Sequence, residues 1–222
     1  MRERLGGLVI LYEDDDIAVV DKPSGLLSVQ AGDARVKSAY GLLLEHMRRT
    51  HPGARPAVVH RLDRDTSGVM LFAKHPHAKK IFMDRWAERV LERRYVAVAE
   101  GRPQPPRGRI DTPLKENRVG EVYVSSDGTG LRALTNYWTL EGRDDFSLLE
   151  LELETGRKNQ IRVQLAHMGN PVAGDTKYGA RADPLGRLAL HAYLIAFLHP
   201  RTDERLEFRV DPPTGFLKMF RR

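Results

Sequence analysis

The chain has 222 residues, 36 Lys and Arg against 30 Asp and Glu, and a formal net charge of +6; 41% of it is hydrophobic, which suits a packed core rather than a disordered tail. It contains no cysteine, which excludes a disulfide framework, a thiolate nucleophile and any sulfur-ligated zinc site. No stretch approaches the roughly 18 apolar residues of a membrane helix, and the mixed-charge start Met1-Arg2-Glu3-Arg4 is unlike a signal peptide. These features predict one soluble, cytoplasmic domain over residues 1–222, with a basic excess that favours polyanionic partners.

In chain order, Leu8–Tyr12 and Ile17–Val20 read as two short strands joined by a turn at Asp14-Asp15-Asp16. Asp21-Lys22-Pro23-Ser24-Gly25 then breaks the chain. Ser38 is placed to cap a helix reaching about Arg49, in which Tyr40, Leu43, Leu44 and Met47 follow helical spacing. A second helix is predicted after Pro76, with Ala78, Phe82, Trp86 and Val90 on one face. Tyr95–Ala99 reads as a strand ending before Gly101, and 101–111 as a surface loop. Leu149, Leu151 and Leu153 alternate with Glu150, Glu152 and Glu154, as in a half-buried strand. A helix from about Lys158 carries Ile161, Leu165 and Met168 and stops at Gly169. Leu188–Phe197 and Leu206–Val210 flank a turn at 199–202 and predict a hairpin. Clustered strands with few helices between them predict an α+β fold, one domain with a central mixed, largely antiparallel sheet.

Two polar clusters stand out. His60-Arg61-Leu62-Asp63-Arg64-Asp65-Thr66-Ser67-Gly68 lies between the apolar runs 57–59 and 69–72, a loop held by a strand on either side. Pattern alone leaves two readings open: a catalytic loop on a rigid support, or a turn whose Asp65, Thr66 and Ser67 bond the backbone around Gly68. Thr155-Gly156-Arg157-Lys158-Asn159-Gln160-Ile161-Arg162 is either an anion-friendly helix start or a solvated basic helix end. Metal sites are poorly supported: the proline of His75-Pro76-His77 disrupts ligand spacing, and Arg61 and Arg64 would oppose a cation at Asp63 and Asp65.

The stretch His60–Gly68 resembles the HRLDxxTSG signature of the RluA family of RNA pseudouridine synthases. Further segments agree in the family's order: Leu11–Asp14 through Val20–Leu26, then Arg94-Tyr95-Val96-Ala97 with Gly101, then Leu153–Arg162, resembling TGRxHQIR, and finally Gly174–Gly179 with Leu190-His191-Ala192. Together they run from about Leu11 to Phe197. The resemblance implies isomerisation of uridine to pseudouridine in ribosomal or transfer RNA, without metal or cofactor, by a monomer. It implies that Asp63 is the essential carboxylate and that Arg162 is the guanidinium keeping it ionised. Tyr95 becomes the ring that packs on a target base turned out of the RNA, and Arg61 the side chain filling the vacated space. His60, Lys79, Lys80, Arg85, Arg89, Arg93 and Arg94 are the expected RNA-binding residues. Asn159 stands where the family commonly has histidine, and Arg94 where lysine is common. The few residues before the first motif lead to the expectation that the small N-terminal RNA-binding domain of some relatives is missing. The rival reading is a non-catalytic RNA-binding or ribosome-assembly protein on the same fold.

Overall fold

The structure, a computed structural model, describes residues 3–30, 36–143 and 145–221. In chain order its elements are β1 (Arg4–Leu5), β2 (Leu8–Glu13), β3 (Ile17–Lys22), α1 (Ala39–Thr50), β4 (Ala57–Val58), β5 (Ser67–Ala73), α2 (Pro76–Asp84) and α3 (Trp86–Arg89). There follow β6 (Val90–Glu100), β7 (Arg107–Glu116), β8 (Val122–Val124), β9 (Leu131–Arg143), β10 (Phe146–Leu153), α4 (Gln160–His167), a 3-10 turn at Thr176–Tyr178, β11 (Leu190–Leu198), β12 (Arg205–Arg209) and α5 (Thr214–Lys218). The fold is α+β, with a mixed, largely antiparallel sheet flanked by helices and loops. The contacts divide the chain into two compact units, one from the spans 1–93 and 192–211, the other from 94–191 and 212–222.

In the first unit the strands run β1-β2-β3-β5-β11, with β4 also on β5 and β12 on β11. β3 and β5 pair antiparallel from Ile17↔Ala73 to Lys22↔Gly68. One sheet face packs Ile17, Val19, Val69 and Leu71 against Ala78 and Phe82 of α2 and against Phe197. Ser38 caps α1 as predicted, accepting the Gly41 N–H at 3.1 Å, and Leu43 and Met47 are buried. The helix predicted from Pro76 through Val90 is broken. Arg85 leaves helical geometry (φ −135°, ψ 39°), α3 makes one more turn, and Val90 opens β6. Ala78, Phe82 and Val90 still enter one core, with Trp86 packed against it, so the apolar spacing was sound and the continuous helix was not. Burial of β-branched Val90 in a ladder outweighs its place in a helical repeat.

In the second unit β6-β10-β9-β7-β8 lie side by side, each pair antiparallel. The surface loop expected over 101–111 is shorter, because β7 already begins at Arg107. Arg107, Arg109 and Asp111 lie on one face of β7 and Gly108 and Ile110 on the other. Ile110 and Leu114 are its buried apolar residues, and the charges, Gly108 and Pro113 around them weaken the strand signal in sequence. Directly paired residues share a sheet face, so the ladders Tyr95↔Leu151↔Tyr137 and Leu153↔Thr135 place Tyr95 and Thr135 on the same one. That face carries α4. Thr135 Oγ1 donates to Gln164 at 2.6 Å and accepts from Gln160 Nε2 at 2.9 Å.

Candidate active site

The loop 60–66 begins and ends on a hairpin, since β4 and β5 pair at Ala57↔Ala73 and Val58↔Phe72. Its backbone is clamped on both sides of Asp63. Ser28 Oγ donates to the Leu62 carbonyl at 2.6 Å and accepts the Leu62 N–H at 3.1 Å. The Arg64 carbonyl accepts from the Gly25 N–H at 3.0 Å and from Lys22 Nζ at 2.9 Å. The Lys22 ammonium, fully buried, also donates to the carbonyls of Pro23 (3.0 Å) and Leu26 (2.7 Å). Ser24 Oγ reaches the Asp65 carbonyl at 2.7 Å. The Asp21–Gly25 break is thus a platform for the loop, and a fully buried cation serves it. A signal for this was present: Lys22 continues the Ala18, Val20 face of β3, so strand alternation sends it inward.

Gly68 has φ +115°, and a β-carbon there would stand 2.0 Å from the Ala192 carbonyl oxygen; only glycine fits this close approach. Asp63, half-buried, accepts the Thr66 N–H on its carbonyl at 3.2 Å, closing the loop. Arg64 and Asp65 pair with each other at 3.0 and 3.1 Å.

Among the expected RNA-binding residues, His60 is committed inward. Its Nε2 accepts the Leu71 N–H at 2.9 Å, so the imidazole is neutral with its proton on Nδ1. Burial, then the Arg93 charge, push its pKa down to about 3. Its ring also meets Trp86 at 5.7 Å, and the Arg93 guanidinium lies 5.6 Å from that indole. Arg89 is buried and bonded to Asp203. Arg85 pairs with Glu88, and Lys80 with Asp84 at 2.5 Å. Arg61 and Lys79 are exposed and form no ion pair among the described residues. Arg94 projects from β6 on the face opposite Tyr95, 3.0 Å from Glu150.

Tyr95 is buried at the same sheet face as α4, the helix that bears Arg162. The start of α4 is closed by its own side chain: Gln160 Oε1 accepts the Arg157 N–H at 2.9 Å and the Thr155 hydroxyl at 2.8 Å. Lys158 pairs with Glu116 at 2.5 Å, and Arg157 Nε donates to the Arg132 carbonyl at 3.1 Å. These bonds engage the Arg157 N–H and the Arg157 and Lys158 side chains at this helix start. Arg162 forks onto the buried carboxylate of Asp175, Nε to Oδ2 at 2.6 Å and Nη2 to Oδ1 at 2.7 Å. Its guanidinium lies 5.0 Å from the Tyr178 ring centre.

Asp14, Asp16 and His199 bring ligand atoms within 4.8 Å of one another. Their chemistry does not suit a metal. His199 Nδ1 accepts the Arg201 and Thr202 N–H groups at 3.3 and 3.2 Å, so its proton sits on Nε2, directed at Asp14 3.0 Å away. His75 likewise caps α2 through Nδ1 (3.2 Å from Ala78 N) and contacts Asp16 through Nε2 at 2.9 Å. Arg201 Nε, 2.7 Å from Asp16, already supplies a cation. Despite burial, the Ile17 and Asp16 N–H groups and the Tyr12 hydroxyl hold the Asp14 carboxyl below its ordinary value, and hydrogen bonds from Arg201 and His75 do the same for Asp16.

The architecture is that of a pseudouridine synthase. It matches the structure of human RNA pseudouridylate synthase domain containing 1 with a TM-score of 0.73 at 27% identity, over 95% of this chain and 86% of that one. A sequence profile described as RNA pseudouridylate synthase matches residues 16–167, a span containing Asp63, Tyr95 and Arg162. The uncharacterized RNA pseudouridine synthase YjbO of Bacillus subtilis is 35% identical over 214 residues, 96% of this chain and 76% of that protein. The ribosomal large subunit pseudouridine synthase D of Vibrio cholerae is 35% identical over 226 residues, 96% of this chain and 69% of that protein. The chain belongs to the RNA pseudouridylate synthase family, and it is an enzyme, an isomerase of uridine in RNA.

Proposed function

We propose that this enzyme converts specific uridines of ribosomal or transfer RNA to pseudouridine, with Asp63 as the essential carboxylate. The observation that carries the assignment is the double clamp: the residues on either side of Asp63 are each bonded through their backbone, Leu62 to Ser28 and Arg64 to Lys22 and Gly25. A carboxylate held this way is preorganised for chemistry at a ribose. Its ionised form acts on the sugar, by addition at C1′ or by removal of the adjacent ribose proton. The N1–C1′ bond breaks, the uracil turns, and C5 bonds to C1′ as the ester bond from Asp63 to C1′ breaks or, on the second route, as the proton Asp63 removed returns to the ribose. C5 then loses its proton to water, and N1 gains one. Arg162 stabilises negative charge during the reaction. Tyr95 packs on the flipped base, and the exposed Arg61 takes the space that base leaves. Lys79, Lys80, Arg85 and Arg93 contribute phosphate contacts, the paired ones by exchanging a surface partner for RNA. Arg89, His60 and Arg94 are left out, since each is held where it has structural work. The enzyme acts as a cytoplasmic monomer.

The test is tritium release from RNA labelled at uracil C5, with unmodified ribosomal and transfer RNA offered separately to the native protein and to Asp63→Ala. Release by the native protein alone supports the assignment and tells which RNA class is used. Ribosomal RNA is offered first because relatives at this identity are named for the large ribosomal subunit. Equal release by both proteins would refute the role of Asp63, and release from neither RNA would refute the substrate class.

A further inference from the structure

Arg162 is an enclosed guanidinium of the second unit, and its partners share a construction that catalysis alone does not explain. Its Nε–Nη2 edge is taken by Asp175 at 2.6 and 2.7 Å, and its side chain is 12% exposed against 1% for the carboxylate. Its flat face has the Tyr178 ring 5.0 Å away. Its Nη1 lies 3.4 Å from Asn159 Oδ1, and the same Asn159 amide donates from Nδ2 to the Tyr178 hydroxyl at 2.8 Å. Carboxylate, ring and amide therefore meet the cation from three directions and are themselves connected.

The three are also fixed before the cation arrives. The Asp175 carbonyl accepts the N–H groups of Tyr178 and Ala180, both at 3.1 Å, and its own N–H donates to Val172 at 3.0 Å, so carboxylate and ring belong to one tight turn. Gly174 admits that turn: at φ +78°, a β-carbon there would sit 2.3 Å from the Arg187 carbonyl oxygen. Asn159 stands at the head of α4 in the left-handed region (φ 53°, ψ 21°), a conformation that asparagine tolerates better than most residues. Its amide is neutral at every pH the protein meets, so this side of the arrangement does not titrate, as an imidazole would.

We propose that Asp175, Tyr178 and Asn159 are positioning residues forming a preformed guanidinium socket that sets the direction of Arg162. The inference rests on the role assigned to Arg162 above and adds the residues through which that role is exercised. A bidentate carboxylate fixes the plane and rotation of the guanidinium, the ring blocks tilt, and the amide restrains the remaining nitrogen. Charge stabilisation then requires no reorganisation when the reaction occurs.

The experiment measures kcat and KM by tritium release for Tyr178→Leu, Tyr178→Phe, Asp175→Asn and Arg162→Ala, with thermal unfolding followed in parallel. Tyr178→Leu and Asp175→Asn are expected to lower kcat about tenfold or more while KM stays within about twofold, and Tyr178→Phe, which keeps the ring, to recover most of the loss. The decisive readout is chemical rescue. Guanidinium ion, added far below denaturing concentration, is expected to restore part of the kcat of Arg162→Ala in a saturable way, and to fail in Arg162→Ala/Tyr178→Leu. An inactive Arg162→Ala beside Tyr178→Leu and Asp175→Asn variants of native kcat would overturn the socket while leaving Arg162 its role. A fully active Arg162→Ala would overturn both. Equal rescue of the single and double variants would overturn the socket even if Tyr178→Leu were merely unstable, because rescue is read only on folded enzyme.

Discussion

The Asp63 loop and the Arg162 helix place their functional groups by different means. Around Asp63 the clamp acts on the backbone: Lys22, Ser24, Ser28 and Gly25 bond carbonyls and amides of Leu62, Arg64 and Asp65. Around Arg162 the backbone is ordinary helix and the clamp acts on the side chain, through Asp175, Asn159 and Tyr178. The difference follows from side-chain length. An aspartate has two rotatable bonds, so fixing its backbone leaves its carboxylate only a few positions. An arginine has four between its backbone and guanidinium, and its head must be held directly. Substitution should therefore expose the first region mainly in stability and the second mainly in turnover.

The largest effect is expected at Gly68. Gly68→Ala puts a methyl group 2.0 Å from the Ala192 carbonyl oxygen at a φ that alanine disfavours, so the variant should fail to accumulate as folded protein, as read by circular dichroism of purified material. A folded, active Gly68→Ala would show that the Asp63 loop is less constrained than its bonds indicate. Next is Lys22→Met. It removes a donor from three partly buried carbonyls, of which that of Arg64 keeps the Gly25 N–H, and should cost about 2–4 kcal/mol in denaturant unfolding, with surviving folded enzyme also losing turnover. A loss of stability with native kcat would separate the platform from the placement of Asp63.

His60 sharpens the comparison through pH. Its folded-state pKa of about 3 lies below its ordinary 6.5, so between those values the unfolded chain holds a proton that the folded chain refuses. This contribution to stability is complete above pH 6.5 and declines as pH falls through that window. His60→Gln, whose amide oxygen can still accept the Leu71 N–H, should lose less melting temperature than the native protein between pH 7 and 5. Asp14 and Asp16, whose pKa values are lowered, add a further loss only as pH drops through the carboxylate range. The smallest effect is expected from Arg94→Gln. Its pair with Glu150 lies on the face opposite Tyr95, so stability should change by no more than about 1 kcal/mol and KM for RNA by less than about twofold. A large rise in KM would place RNA on that face and overturn the exclusion of Arg94.

Periodicity served well where one face of an element is apolar. Helix α1 with its Ser38 cap, the hairpin β11–β12 and the Leu149–Leu151 register of β10 were all legible, because burial imposes a repeat that residue type reports. It misled at Trp86–Val90, where the apolar spacing is real but runs across a helix break into β6. It said nothing of β7, whose outward residues are charged and meet their partners only across strands, as Arg132 does Asp111 at 2.6 Å. In the candidate site, the motifs around Asp63, Tyr95 and Arg162 are contiguous in sequence and were found there. What supports them is not contiguous: Lys22 lies 42 positions from Arg64, and Asp175 13 from Arg162.

By itself, the sequence of this protein determined the class of fold and the family resemblance, since these are carried by residue type and local spacing. Only the tertiary structure decided which cations are committed to structure. Arg89 and Arg94 look alike as charges along a chain, yet one is buried against Asp203 and the other is paired on the sheet face opposite Tyr95. Whether a charge is available depends on the partners that folding brings within about 3 Å, and spacing along the chain does not contain that distance.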